Sequence, residues 1–146
     1  GGFAALTHGS SYMTRDVELC AVLSDSNVEK LRAALKDWSP CHRMTPEKLS
    51  FLTHPKAGAE INNLYIETDR GVVDILSNVL GVGDYSTLRK NAEMVEVDGR
   101  RYPIIFLSDL IVAKEAVGRE KDLLTAKELR AIAVKRGIPL PEKPGK

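Results

Sequence analysis

Apolar and polar positions along this chain alternate between a two-residue repeat, as in strands, and a spacing of three to four, as in helices. "FAALTHG" predicts a short helix ending at Gly9, and "DVELCAVL" a strand that alternates and then runs apolar. "SDSNVEKLRAALKDW" has polar caps at Ser24 to Ser26 and apolar positions at Val28, Leu31, Ala34 and Leu35, which predicts an amphipathic helix. Residues 39–63 hold Pro40, Pro46, Pro55 and Gly58 and predict irregular chain with one helical turn around "TPEKLSFL". "LYIETD" and "GVVDILSNV" predict a hairpin turning at Asp69 to Gly71. After a loop and a short helix in "GVGDYSTLRKNA", a second hairpin pairs "EMVEV" with "RYPIIFL" through the Asp-Gly turn of "DGR". Two helices follow: "SDLIVAKEAVG", with Ser108 as its cap, and "DLLTAKELRAIAVKRG", opening at Asp122 and closing at Gly137. The sum is an α/β (α+β) fold with a mixed, partly antiparallel central sheet flanked by helices.

The length, 146 residues, suits one domain, placed at 1–138, followed by a loose tail "PLPEKPGK" at 139–146. A formal charge of +1 gives no global field toward nucleic acid or membrane. From Asp109 onward nine basic residues face six acidic ones, a mild excess that suits either an RNA acceptor or a solvated face. Cys20 and Cys41 lack metal or redox spacing, and no apolar run approaches the ~20 residues that span a bilayer, so the expected setting is soluble and cytoplasmic. No initiator methionine precedes Gly1, consistent with a cloning remnant, processing or a truncated start.

The chemistry sits in misplaced acids. On a strand Asp16 and Glu18 share one face, about 6.6 Å apart at ~3.3 Å per residue, and Asp74 stands between Val72 and Leu76 on a strand of its own. Taken alone, Asp16 and Glu18 fit an edge strand with a solvated polar face, and Asp74 fits a solvent-facing hairpin strand. Clustered, the three repel by roughly 4 kcal/mol per pair at ~4 Å and an effective dielectric of 20, so a cation belongs among them. Oxygen donors suit Mg²⁺ or Mn²⁺, and His8, His42 and His54 are scattered, each read as a surface or locally bonded residue. Lys114 falls within the apolar stripe of its helix, where it either snorkels to water or serves a ligand. Asp122 reads as a helix cap.

The ordered set Gly1-Gly2, Asp16-Val17-Glu18-Leu19 and Val73-Asp74-Ile75, with the downstream "SDLIVAKEAVGREKDLLTAKEL", resembles the nucleotidyltransferase (polymerase-beta-like) fold, in the bacterial branch of minimal nucleotidyltransferases and AbiEii-type toxins. The likeness spans nearly the whole chain. It implies a transferase that moves a nucleoside monophosphate from a triphosphate such as ATP to a hydroxyl of an RNA end (tRNA among them), a protein or a small molecule, releasing pyrophosphate. It implies Mg²⁺ or Mn²⁺ held by Asp16, Glu18 and Asp74, with Asp74 also helping to deprotonate the acceptor. Gly1, Gly2 and Lys114 are implied to contact the nucleotide, Asp122 to pair with that lysine, and Thr14 and Arg15 to assist phosphate binding or orient the acidic strand. The pair Asp-x-Glu departs from the usual Asp-x-Asp, and the family's strand before the glycines is absent if the chain begins at Gly1. The competing expectation is an inactive member that binds nucleotide or a partner, such as an antitoxin-like protein, in a toxin–antitoxin or mobile-element system. The acceptor, the choice of triphosphate and the oligomeric state are left open.

Overall fold

The computed structural model describes residues 1–143 and Gly145. In chain order its elements are α1 (Gly2–Thr7), β1 (Asp16–Cys20), α2 (Asp25–Leu35), a 3₁₀ turn (Lys36–Trp38), β2 (Cys41–His42), β3 (Asn63–Thr68), β4 (Gly71–Leu76), β5 (Asn78–Val79), β6 (Gly83–Asp84), α3 (Tyr85–Asn91), β7 (Glu93–Val97), β8 (Arg100–Ile104), α4 (Leu107–Val117) and α5 (Glu120–Lys135). The fold is α+β, with five α-helices and a mixed sheet among the described residues. The chain divides into two compact units: Thr14–Asn78, and Gly1–Met13 with the residues from Val79 onward.

The first unit is a four-stranded sheet in the order β1-β4-β3-β2. β1 runs parallel to β4, whereas β3 pairs antiparallel with both β4 and β2. Alternation sends Leu64, Ile66, Val73 and Ile75 to one face, where Val28, Leu31 and Leu35 of α2 and the fully buried Phe51 close a core. α2 forms because its apolar residues recur at helical spacing and Ser24 caps its start, its hydroxyl accepting the Asn27 N–H at 3.3 Å.

The segment 39–63 contains no helix. Lys48 has φ +47°, which breaks a helical run, and Thr45 Oγ1 takes the Leu49 N–H instead. The segment is nonetheless fastened. Arg32 donates to Phe51 O (2.7 Å) and Pro55 O (2.5 Å), His42 Nε2 donates to His54 O (2.8 Å), and Asp25 accepts the Gly58 N–H.

The second unit is built on α4, α5, α1 and the β7–β8 hairpin, whose core comprises Ala4, Ala5, Ile104, Leu107, Leu110, Ile111, Leu129 and Ala133. The Asp98-Gly99 turn has both φ values positive (51° and 74°), the conformation that pair favours in a two-residue hairpin loop. α4 starts at Leu107 with Phe106 at its cap position, so Ser108 is not the cap; its hydroxyl donates to Pro139 O at 2.9 Å. α5 starts at Glu120, two residues before Asp122, which lies buried in the first turn and caps nothing. At its other end Gly137 at φ +66° lets Ile138 N–H return to Ala133 O, as the sequence predicts. The tail is tied at Pro139 and at Pro141, whose carbonyl accepts from Arg130; Pro144 and Lys146 lie outside the described residues.

Candidate functional site

The parallel register of β1 and β4 sets Asp16 beside Val72 and Glu18 beside Asp74. Neighbours in register point to the same side of a sheet, so all three acids share the face opposite the α2 core. On the next strand Tyr65 stands beside Asp74, and Asn63 and Glu67 continue the same polar face. Asp16 and Glu18 are exposed on an edge strand, whereas Asp74 is 8% exposed.

Asp74 is the acid the fold commits most firmly. Arg43 grips both of its oxygens, Nη2 to Oδ2 at 2.5 Å and Nε to Oδ1 at 3.2 Å. The guanidinium lies 5.2 Å from the Tyr65 ring centroid, and the Arg43 N–H donates to Tyr65 O at 3.0 Å. The hydrogen bonds that the guanidinium donates to Asp74, aided by the charges of Asp74 and Asp16 and opposed by partial burial, raise its proton affinity above the ordinary value. Sequence reading missed Arg43 entirely. It falls in the irregular stretch, with no periodicity to aim it, and its partner is 31 residues away.

Farther along that face, Lys48 is ion-paired with Glu67, and the Cys41 thiol lies 3.6 Å from Glu67 Oε1. Burial, then the Glu67 carboxylate, raise the pKa of Cys41, while Lys48 lowers that of Glu67. Thr14 Oγ1 is 3.3 Å from both the Asp16 N–H and the Asp16 carbonyl, which steadies the chain where β1 begins, and Arg15 is exposed.

The remaining sequence candidates belong to the other unit. Gly1 is the N-cap of the six-residue α1, and Gly2 its first residue. Lys114 does not snorkel: its ammonium donates to Asp122 Oδ1 at 2.8 Å, and Asp122 also accepts from Arg119 at 2.6 Å. Burial opposes ionisation of Asp122, yet hydrogen bonds from Arg119 and Lys114 outweigh it and hold the carboxyl below its usual range. Lys114, Arg119, Arg130 and Arg136 are all ion-paired, Lys114 and Arg130 in largely buried positions. His8 is buried rather than superficial: its Nε2 donates to Ile105 O at 2.7 Å and Arg136 Nη1 lies 3.2 Å from its Nδ1.

Three carboxylates on one face, two of them side by side in register, match the hard-oxygen donor set of a divalent cation. Among the described residues, no three Asp, Glu, His or Cys side chains are grouped closely enough to hold a metal ion, and Asp74 is in the grip of Arg43. The three acids thus share a face and a donor chemistry without forming a closed set of ligands, and Asp74 is satisfied by Arg43. Compared with known proteins, the chain matches no protein-family model and no curated protein. No helix among the described residues is long and apolar enough to cross a membrane.

Proposed function

We propose that the chain is a nucleotidyltransferase that transfers a nucleoside monophosphate from a nucleoside triphosphate to a hydroxyl acceptor. The supporting observation is the register of β1 with β4, which puts Asp16, Glu18 and Asp74 on one face with Glu18 beside Asp74. The ordered acids and their likeness to the polymerase-beta-like pattern support it further. In this reading Asp16, Glu18 and Asp74 hold Mg²⁺ or Mn²⁺, which supplies charge neutralisation for the triphosphate. The acceptor oxygen forms a bond to the α-phosphorus, the bond from that phosphorus to the bridging oxygen breaks, and pyrophosphate leaves. The acceptor proton passes to Asp74 once Arg43 has let it go. The fastened segment 39–63 gives Arg43 a fixed base from which to act.

Incubation with Mg²⁺ and each α-labelled nucleoside triphosphate, scored for pyrophosphate release and for label on RNA, protein or small-molecule acceptors, tests the reading. Release that disappears in Asp16→Asn supports it. Absence of release with all four triphosphates, with RNA and protein acceptors present, counts against it.

One observation favours a second reading, a binding protein without catalysis: the acid assigned to the reacting end is already neutralised by Arg43. Thermal unfolding with Mg²⁺ and each triphosphate separates binding from inertness, because a ligand at 100 times its dissociation constant stabilises by about 2.7 kcal/mol. Stabilisation without turnover selects the second reading; no shift, with Asp16→Ala like the parent, rejects both.

A further inference from the structure

His8 ends α1 with its side chain only 2% exposed, and both of its ring nitrogens meet polar groups. Nε2 is 2.7 Å from Ile105 O, a group that only accepts, so Nε2 carries a proton. Nδ1 is 3.2 Å from Arg136 Nη1, a group that only donates, so Nδ1 carries none. The two partners together select the neutral Nε2–H tautomer. The same guanidinium reaches Glu93 on β7, Nη2 to Oε1 at 3.4 Å, and the other oxygen of Glu93, Oε2, stands 3.8 Å from Nδ1. Among the described residues the charges facing the ring are therefore Arg136, at the end of α5, and Glu93; the link from β8 to α4 offers the Ile105 carbonyl, and α1 itself holds no charged side chain. Glu128 of α5, which meets the chain just past this turn, is taken by Ser10 Oγ and the Ser11 N–H.

A proton added to Nδ1 sets an N–H against an N–H and leaves two cations to share one carboxylate. One of the three groups then has to yield, and their exposures decide which. His8 is enclosed and tied through Nε2 to Ile105 O, and Glu93 is 29% exposed, whereas Arg136 is 41% exposed on a long side chain and has water to move into. Glu93 Oε2 needs to approach Nδ1 by only about 1 Å to become its acceptor. We infer that His8, Arg136 and Glu93 form a proton-operated exchange, in which acid moves the polar tie of α1 from the end of α5 to β7. Before protonation, Arg136 bridges His8 and Glu93. Once a proton from solvent sits on Nδ1, the ring donates to Glu93 and Arg136 gives up both contacts. One cation and one anion face each other before and after, so no uncompensated charge is left in the enclosed site. Arg136 is the C-cap residue of α5; its side chain is released while the N–H bonds of Arg136 and Gly137 to Ile132 O and Val134 O still close the helix end. The exchange is independent of the nucleotidyltransferase reading.

The test is long-range proton–nitrogen NMR of the full chain from pH 8 to pH 5.5, following the His8 ring nitrogens and the Arg136 Nε–H. Parent, His8→Gln, Arg136→Gln and Glu93→Gln are compared. In the parent at pH 8 the ring is expected as the Nε2–H tautomer, and the Arg136 signal is expected to shift in step with ring protonation as the pH falls. His8→Gln, whose amide keeps a donor for Ile105 O and takes up no proton, is expected to hold the Arg136 signal still over the same range. At pH 6 the ratio of charged to neutral His8 ring is expected to rise at least about threefold in Arg136→Gln, which removes the competing cation, and to fall by about as much in Glu93→Gln, which removes the acceptor. An Nδ1–H tautomer at pH 8, a ring still neutral at pH 5.5, or an Arg136 signal that ignores the ring overturns the inference. So does an unchanged or lowered ratio in Arg136→Gln, an unchanged or raised one in Glu93→Gln, or an Arg136 signal that moves in His8→Gln as it does in the parent. Should a variant fail to fold, the parent's tautomer and its coupled Arg136 shift decide the matter by themselves.

Discussion

Glu18 and Asp74 are direct neighbours across the parallel strands β1 and β4, but one is exposed and the other is 8% exposed and held by a guanidinium. Two acids of one face therefore differ in what they do for the fold. Asp16→Asn and Glu18→Gln are expected to stay within about 0.5 kcal/mol of the parent in urea unfolding, as exposed substitutions do. Asp74→Ala is expected to cost about 1–3 kcal/mol, because it strips Arg43 of its partner and opens a part-buried site. Equal losses for all three would mean that β1 is more deeply integrated than its exposure indicates.

The buried Asp122, bridged by Lys114 and Arg119, gives a stability term with a definite sign. Its pKa is depressed in the folded chain, so the stabilisation is fully present above the unfolded carboxyl value of about 3.9 and is lost as pH falls through the folded value. Asp122→Asn is expected to cost about 3–5 kcal/mol at neutral pH, since it leaves the ammonium of Lys114 facing an amide in a largely buried site. Thermal midpoints recorded from pH 6 to pH 2 should fall less steeply in the variant than in the parent.

Gly81 sits at φ +80°, and a methyl group there would come within 2.9 Å of Ala116 Cβ and 3.2 Å of Val112 Cγ1. Gly58 has a nearly identical φ of +79° with no such neighbours. Gly81→Ala is expected to cost about 2 kcal/mol or more, and Gly58→Ala about 1 kcal/mol, the difference measuring the clash apart from the backbone strain. Chemical denaturation of the two variants side by side gives both numbers.

Arg32 fastens the irregular segment by donating to Phe51 O and Pro55 O while its guanidinium lies 5.4 Å from the Phe51 ring centroid. Arg32→Met is expected to destabilise by about 1–3 kcal/mol and to raise hydrogen exchange across residues 51–58, with β3 and β4 still protected. Unchanged exchange there would show that His42 and the burial of Phe51 hold the segment without Arg32.

Much of the architecture was legible because local chemistry dictates it. The 3.6-residue spacing of Val28, Leu31 and Leu35, the Ser24 cap, the Asp98-Gly99 turn and the Gly137 stop each act within a few residues, through backbone dihedrals and neighbouring side chains. Where weak local signals competed, the reading slipped. Ser108 and Asp122 have the chemistry of caps, yet α4 and α5 begin before them because each side chain finds a better partner elsewhere, Pro139 O for one and Lys114 for the other. The helical turn expected around "TPEKLSFL" gave way to a fastened loop once Phe51 was buried and Lys48 took a positive φ.

Alternation along a strand was enough to put Asp16 and Glu18 on one face, and Asp74 on a face of its own strand. That those two faces are the same one followed from strand register, a choice made by the burial of Leu64, Ile66 and Ile75 against α2 and Phe51 rather than by the acids. The pairing of Arg43 with Asp74 belongs to tertiary structure for the same reason. A charge finds a partner 31 residues away only after loop path and register have been settled, and spacing along the chain carries no record of either.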